Sequence, residues 1–234
     1  MRHDRGPDRG TKVAEVIPVR DELAQRLEKC YSGAVYDVLR ARGLKDQVLP
    51  SNLRPLDADV RVAGRAYTVS GHVDTERSAH DTLLSWTGLL SKAPADSLVV
   101  CQPNDSTMAH MGELSAETLK FRGVRGYVVD GGCRDSDFIL KLGFPVFCRY
   151  FTPVDVVGRW MADTFGEAVT IGGVTVHTGD YVVADRDGIV VIPEALVEDV
   201  TKETEDVLAT ENLVRKAILE GVDPQQAYLE FGKF

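Results

Sequence analysis

Residues 126–147 read GYVVDGGCRDSDFILKLGFPVF. A short apolar run, Tyr127-Val128-Val129, breaks at Asp130-Gly131-Gly132. Arg134-Asp135 then opens a helical stretch that stops at Gly143, and Pro145-Val146-Phe147 resumes an extended pattern. The order is strand, glycine loop, helix, strand. In α/β proteins a charged pair at the carboxyl end of a buried strand, beside glycines, is where ligand chemistry is placed. On spacing alone, a capped helix whose Arg134 and Asp135 make surface ion pairs competes with that reading.

The same arrangement occurs just upstream. Ser97–Cys101, SLVVC, reads as a strand, Gln102–Ala109 as a polar loop, and Met111-Gly112-Glu113-Leu114-Ser115 leads into a helix ending near Arg122. Two strands separated by a helix imply a parallel crossover, which brings both loops to one sheet edge. Glu113 and Arg134-Asp135 are therefore expected to meet in space. Loops of this kind also present backbone N–H groups to an anion at a helix start.

Working outward, residues 19–29 have helical spacing through Leu23 and Leu27, and Ser32 is expected to cap a second helix that Gly43 ends. Residues 46–56 read as loop. Residues 60–71, VRVAGRAYTVSG, predict a strand pair or one bent strand, with Gly64 marking a bulge or a close backbone approach. A helix is expected over 77–90. Residues 169–193, VTIGGVTVHTGDYVVADRDGIVVIP, predict short strands with turns at Gly172-Gly173, Thr178–Asp180 and Asp185–Gly188. From Glu194 an amphipathic helix runs with Glu203, Glu205, Asp206 and Glu211 on its polar face, followed after Pro224 by a short last helix. The expected fold class is α/β: a single domain over 19–234 with a small β-barrel or sandwich and C-terminal helices, behind a flexible segment 1–18.

The chain has 234 residues and a net charge of -9. That balance argues against a general nucleic-acid or membrane-surface binder, which wants a basic face. No apolar run reaches membrane-spanning length and the polar start MRHDRGPDRGTK lacks a signal-peptide core, so a cytoplasmic location is expected. Cys30, Cys101, Cys133 and Cys148 form no C-x-x-C pair. Cys101 and Cys148 are expected to be buried thiols, while Cys133 could line the site. His110, just before Gly112, reads first as structural and second as pocket lining. Asp185 and Asp187 read as turn formers. Phosphate-binding, dinucleotide-binding and serine-hydrolase motifs are absent from the sequence.

The two loops together supply carboxylates at Asp135 and Glu113, a cation at Arg134 and backbone donors around Gly112, Leu114 and Ser115. Oxygen ligands in low number suit Mg²⁺ or Mn²⁺ better than zinc. An adjacent Arg can grip a carboxylate through two N–H bonds. The ligand this set implies is a small chelating anion such as a 2-oxo acid, and the chemistry it favours is stabilisation of developing enolate charge.

VVDGGCRD followed by LGFPVF, with the Gly112-Glu113-Leu114 loop before it and GDYVVADRDGIVVIP after it, resembles the regulator-of-ribonuclease-activity-A-like family over roughly residues 30–200. That family includes class II 4-hydroxy-4-methyl-2-oxoglutarate and 4-carboxy-4-hydroxy-2-oxoadipate aldolases, which also decarboxylate oxaloacetate. The resemblance implies a swivelling β/β/α-type fold, assembled as a homotrimer or a dimer of trimers with sites at subunit interfaces. By the same resemblance Asp135 would hold the divalent metal, and Arg134 would bind substrate and stabilise the enolate oxygen. Glu113 would hold water near the metal, and the N–H groups at Gly112, Leu114 and Ser115 would bind the substrate carboxylate. A further acid would come from a neighbouring subunit, the 203–211 stretch being one candidate. The sequence departs from the family where the aldolases carry a carboxylate three residues after the metal aspartate: that position is Phe138. Asp137, one residue earlier, is turned away by about 100° on a helix. The expectation is a metal-dependent carbon–carbon lyase acting on a 2-oxo acid. The alternatives are a regulatory protein that inhibits an RNA-processing enzyme, and a lyase with a different substrate.

Overall fold

The computed structural model describes residues 20–233; the expected flexible segment 1–18 lies outside the described residues. Helices α1 (Glu22–Leu27) and α2 (Ser32–Ala41) come first. There follow β1 (Arg54–Pro55), β2 (Val62–Val73), α3 (Ala79–Lys92), β3 (Ser97–Gln102), α4 (Glu113–Phe121) and β4 (Gly126–Val129). Next are β5 (Gly132–Cys133), α5 (Ser136–Leu142), β6 (Val146–Cys148), β7 (Tyr150–Phe151) and β8 (Trp160–Phe165). The chain continues through β9 (Val169–Ile171), β10 (Val174–Val176), β11 (Tyr181–Ala184), β12 (Ile189–Ile192), α6 (Val197–Leu219) and α7 (Pro224–Phe231).

The main sheet has the order β1-β6-β4-β3-β2-β11-β12, with β8 also on β2, and curls into a half-barrel. Strands β2, β3, β4 and β6 are parallel, whereas β11, β12 and β8 run antiparallel to their neighbours. The parallel strands read as unbroken apolar runs because both faces are covered: Leu98, Val99, Val100 and Cys101 have no exposed surface. On one face Trp86, Leu89, Leu119 and Ile139 of α3, α4 and α5 pack with Tyr127 and Trp160. On the other, Leu98, Val100, Val128 and Phe147 meet Ile171 and Val176 of the β9–β10 ribbon. A third cluster joins Leu27, Leu39 and Val200 of α1, α2 and α6 to Val183 and Ile192. Each fully buried Leu or Phe side chain contributes about 2 kcal/mol.

The 60–71 stretch is one bent strand. Val62–Arg65 pairs with β11 and Val69–Val73 with β8, and the register shifts between Ser70 and Gly71. The bulge therefore sits there, while Gly64 is a close-approach position where an added Cβ would lie 3.1 Å from Leu98 Cβ. Gly172 and Gly173 have φ of +59° and +89°, the two positive values that a two-residue hairpin turn requires between β9 and β10. The β-rich region 169–193 divides, with β9–β10 forming a separate ribbon and β11–β12 supplying the antiparallel side of the half-barrel. Strand β8 was not legible, because its WMADTF run lacks clean alternation.

One sequence assignment changes. Tyr31, not Ser32, occupies the N-cap of α2 and makes no side-chain cap. Asp185 supplies it instead, accepting from the Ser32 N–H and hydroxyl at 2.7 Å each and from the Asp187 N–H at 3.0 Å. Asp185 is thus a turn former and a remote cap at once. Three acids of α6 have partners within the chain: Glu203 pairs with Arg42 at 2.6 Å, Glu205 with Arg26 at 2.7 Å, and Glu211 accepts from the Tyr31 hydroxyl. They clamp α6 onto α1 and α2 and do not line the cleft described below. Among the described residues no helix is long and apolar enough to cross a membrane.

Candidate active site

The two glycine loops are joined edge to edge. Ala109 bridges Gly132 in parallel fashion, the His110 N–H donates to the Gly132 carbonyl at 2.8 Å, and the Arg134 N–H donates to the Met111 carbonyl at 2.9 Å. This short ladder continues the parallel pairing of β3 and β4 past their ends and sets the start of α4 beside the start of α5. Glu113 and Arg134-Asp135 meet as the crossover argument expects. The Glu113 N–H donates to Asp135 Oδ2 at 3.2 Å.

Helix α4 begins at Glu113, three residues before the start expected from sequence, so Glu113, Leu114 and Ser115 form its first turn. Its N-cap is Gly112, which has no side chain to satisfy the helix. A Cβ at Gly112 would lie 2.8 Å from Asp135 Oδ2 and 3.2 Å from Arg134 Cγ, so space rather than backbone angle requires glycine. Among the described residues the N–H groups of Leu114 and Ser115 find no acceptor. The Ser115 hydroxyl accepts from the Trp86 indole N–H at 2.9 Å, which ties α3 to the site. The positive end of α4 and two free N–H groups are chemically able to receive an anion.

Asp135 has φ +55° and ψ +34°, the left-handed conformation, which costs on the order of 1 kcal/mol outside glycine. It stands at the N-cap of α5 yet caps nothing there. The conformation turns its carboxylate toward α4 and Arg134, whose Nε lies 3.4 Å from Asp135 Oδ2. Arg134 Nη1 donates to Asp155 Oδ2 at 3.2 Å, and Asp155 Oδ1 accepts from the Val157 N–H at 3.2 Å. The guanidinium is thus held between two carboxylates. The sequence reading missed Asp155: TPVDVV carries no motif, and the partner lies 21 residues upstream.

These groups surround a cleft of about 420 Å³. Gly112, Glu113, Leu114, Ser115, Arg134 and Asp135 all line it, joined by Asp155 and by an apolar wall from α3 and the 156–157 segment. Three other expectations resolve outside it. His110 is fully buried, edge-on to Trp160 at 5.2 Å, and burial pushes its pKa down to about 4 despite Asp105 Oδ2 at 3.6 Å. It is structural. Cys133 is fully buried; the neighbouring Cys148 thiol and burial raise its pKa, so it is no nucleophile at neutral pH. Phe138 is 53 % exposed, with Lys141 Nζ 5.6 Å from its ring, and neither it nor Asp137 lines the cleft.

Among the described residues no group of three or more His, Cys, Asp or Glu side chains is placed to hold a metal ion. The carboxylates lining the cleft are Asp135, Glu113 and Asp155, the last engaged by Arg134. That set fits Mg²⁺ or Mn²⁺, which keep several waters and take one or two carboxylates, and does not fit a closed zinc site.

The comparisons agree with this architecture. The RraA-like family, described as Aldolase/RraA, matches residues 32–191. A protein of Halalkalibacterium halodurans named "Putative 4-hydroxy-4-methyl-2-oxoglutarate aldolase" is 31% identical over 182 residues, 78% of this chain and 83% of that protein. A solved structure described as a novel cellulase from gut-associated microbes is 31% identical with a TM-score of 0.77, over 86% of this chain and 90% of the other. The structure of Streptomyces coelicolor RraAS2, described as an unusual member of the RNase ES inhibitor RraA family, is 26% identical with a TM-score of 0.75. It covers 84% of this chain and 98% of its own. The matched span includes both the Gly112–Ser115 helix start and the Arg134-Asp135 junction, and the chain belongs to the RraA-like aldolase family.

Proposed function

We propose that this protein is a divalent-metal-dependent carbon–carbon lyase that cleaves a 2-oxo acid through a pyruvate-type enolate. The observation that carries the reading is Arg134, held between Asp135 and Asp155 beside the uncapped start of α4. The Leu114 and Ser115 N–H groups receive the substrate carboxylate, and Arg134 donates to the 2-oxo oxygen as negative charge grows there. Mg²⁺ or Mn²⁺, held by Asp135, would supply Lewis-acid polarisation of that same group. The bond between C3 and C4 then breaks, leaving the electron pair in the enolate. For a 4-hydroxy substrate the hydroxyl proton passes to a water held by Glu113, and C4 leaves as a carbonyl. For oxaloacetate, C4 leaves as carbon dioxide and no such base is needed. The assembly proposed is a homo-oligomer, a trimer or a dimer of trimers, with Phe138 and other exposed apolar side chains available to neighbouring copies.

The test is pyruvate release from oxaloacetate and from 4-hydroxy-4-methyl-2-oxoglutarate, with Mg²⁺, with Mn²⁺ and with EDTA. Turnover above the metal-only blank, lost in EDTA and in Asp135→Asn, is expected. Undiminished metal-dependent turnover in Asp135→Asn sinks the proposal. The likeness to RraAS2 supports a second reading, inhibition of an RNA-processing enzyme. That reading gains if no oxo acid is turned over and the protein slows a purified ribonuclease. The cellulase description finds no support in the cleft, where Asp135 and Asp155 share one guanidinium instead of facing each other across a sugar.

A further inference from the structure

Asp135 Oδ2 is approached from two sides. The Glu113 N–H donates to it at 3.2 Å, and Arg134 Nε lies 3.4 Å away. Arg134 nevertheless leans the other way. Among the described residues its side chain donates a hydrogen bond from Nη1 to Asp155 Oδ2, at 3.2 Å, and none to Asp135. Asp155 is fixed before it meets Arg134. Its Oδ1 accepts the Val157 N–H at 3.2 Å, a local turn that sets the direction of the carboxylate. That turn is pinned on both sides: the Ala109 N–H donates to the Val154 carbonyl at 2.8 Å, and the Gly158 N–H donates to Thr82 Oγ1 of α3 at 2.8 Å. Asp155 therefore holds its place, and the long Arg134 side chain is the partner able to swing. Without Asp155, the carboxylate that Arg134 already faces is Asp135. A guanidinium resting fully on Asp135 would fill its lone pairs and put positive charge where a cation is to sit.

We infer that Asp155 is a positioning residue: its carboxylate holds Arg134 off Asp135 and so leaves Asp135 open to the divalent cation. The inference rests on the reading of Asp135 as the carboxylate that holds Mg²⁺ or Mn²⁺, and it adds a role that this reading does not contain. Asp155 acts on the cation through Arg134, not as a ligand. Groups that orient a metal ligand from behind it commonly change metal affinity by about 10- to 100-fold.

The test titrates the substrate-free protein with Mn²⁺ and follows binding by water-proton relaxation. The proteins compared are wild type, Asp155→Asn, Arg134→Gln and the double variant. Asn at position 155 can still accept the Val157 N–H, so the turn survives, but its NH₂ then faces Arg134 and cannot accept. An unchanged thermal midpoint checks the fold. Asp155→Asn is expected to raise the Mn²⁺ Kd about tenfold in the wild-type background. In the Arg134→Gln background, where no guanidinium remains to move, the rise should be less than about threefold. Asp155→Glu, which restores the charge, should recover most of the loss. Equal losses in the two backgrounds overturn the inference, because Asp155 would then act on the cation by its own field. No loss in folded Asp155→Asn overturns it too. Both of those outcomes leave Asp135 as the metal carboxylate and the lyase reading intact. If the wild type binds no Mn²⁺, or Asp135→Asn binds it equally well, the metal reading falls and this inference with it.

Discussion

Helices α2 and α4 start alike and are finished differently. Neither has a capping side chain at its own N-cap, which is Tyr31 in one and Gly112 in the other. At α2 a buried carboxylate, Asp185, reaches across the fold and takes both the N–H and the hydroxyl of Ser32. At α4 Asp135 takes only the Glu113 N–H, at 3.2 Å, and its side chain stays 38 % exposed. An unpaired N–H at a helix start is a cost that folding normally removes. The α2 end shows that this chain can remove it. That the α4 end is left open, beside a strained aspartate and a clamped arginine, is what the proposed binding role of this end requires.

The largest effect expected from breaking this contrast is at the open end. Asp135→Asn keeps a residue type that tolerates the left-handed backbone and removes the charge. Metal-dependent pyruvate release should fall by about 10³-fold or more, roughly 4 kcal/mol, while the thermal midpoint moves little. A large drop in midpoint with activity retained would make Asp135 a structural cap like Asp185.

Asp185→Ala is the mirror experiment. It strands the Ser32 N–H and hydroxyl in a buried place, and a loss of about 3 kcal/mol in denaturant unfolding is expected. The folded fraction should keep its kcat. Loss of kcat in a stable Asp185→Ala protein would erase the distinction between the two helix ends.

Acid should loosen the open end before the closed one. His110 sits behind the α4 loop, tied by its N–H to Gly132, with both ring nitrogens buried and unbonded among the described residues. Burial lowers its folded pKa from 6.5 to about 4. Between those values the unfolded chain takes a proton that the folded chain refuses. The stability is therefore complete above about pH 6.5 and is lost as pH falls toward 4, by roughly 3 kcal/mol. The nearby Asp105 carboxylate, itself held below its usual pKa by backbone and side-chain hydrogen bonds that outweigh its burial, opposes part of this. Hydrogen exchange at pH 5 should rise at residues 109–112 more than at residues 32–35, and His110→Gln should flatten that dependence.

The smallest effect is expected at Gly112→Ala. The added methyl would press on Asp135 Oδ2 and Arg134 Cγ, displacing both by a few tenths of an ångström. A 10- to 100-fold loss in kcat/KM, about 1.4 to 2.7 kcal/mol, should accompany a small change in midpoint. Wild-type kinetics in this variant would show that the α4 start and Asp135 need not touch.

Much of this was legible beforehand because the signals are local. Buried parallel strands need continuous apolar runs, so SLVVC and GYVV announce β3 and β4. Glycine and helix-forming runs then mark where each strand gives way to loop and helix, and parallel crossover geometry brings the loops together. The same logic failed where meaning depends on a distant partner. Asp185 read as a turn former because its helix lies 153 positions earlier in sequence. Glu203, Glu205 and Glu211 of α6 carried no sign of their partners within the chain, because nothing local reveals Arg42, Arg26 or Tyr31 opposite them. Asp155 carried no signal in a run without periodicity.

By itself, then, the sequence determined the two strand–loop–helix units and the chemical types gathered at their ends: Glu113, Arg134 and Asp135 beside backbone donors. Those follow from apolar periodicity and chain connectivity, which act over a few residues. Tertiary structure alone decided that Asp155 closes the clamp on Arg134, that Asp185 and not Asp135 finishes a helix, and that α3 gives the cleft an apolar wall. Those outcomes depend on which surfaces become neighbours when the sheet curls. Burial, hydrogen bonding and charge then act between side chains that share no local pattern.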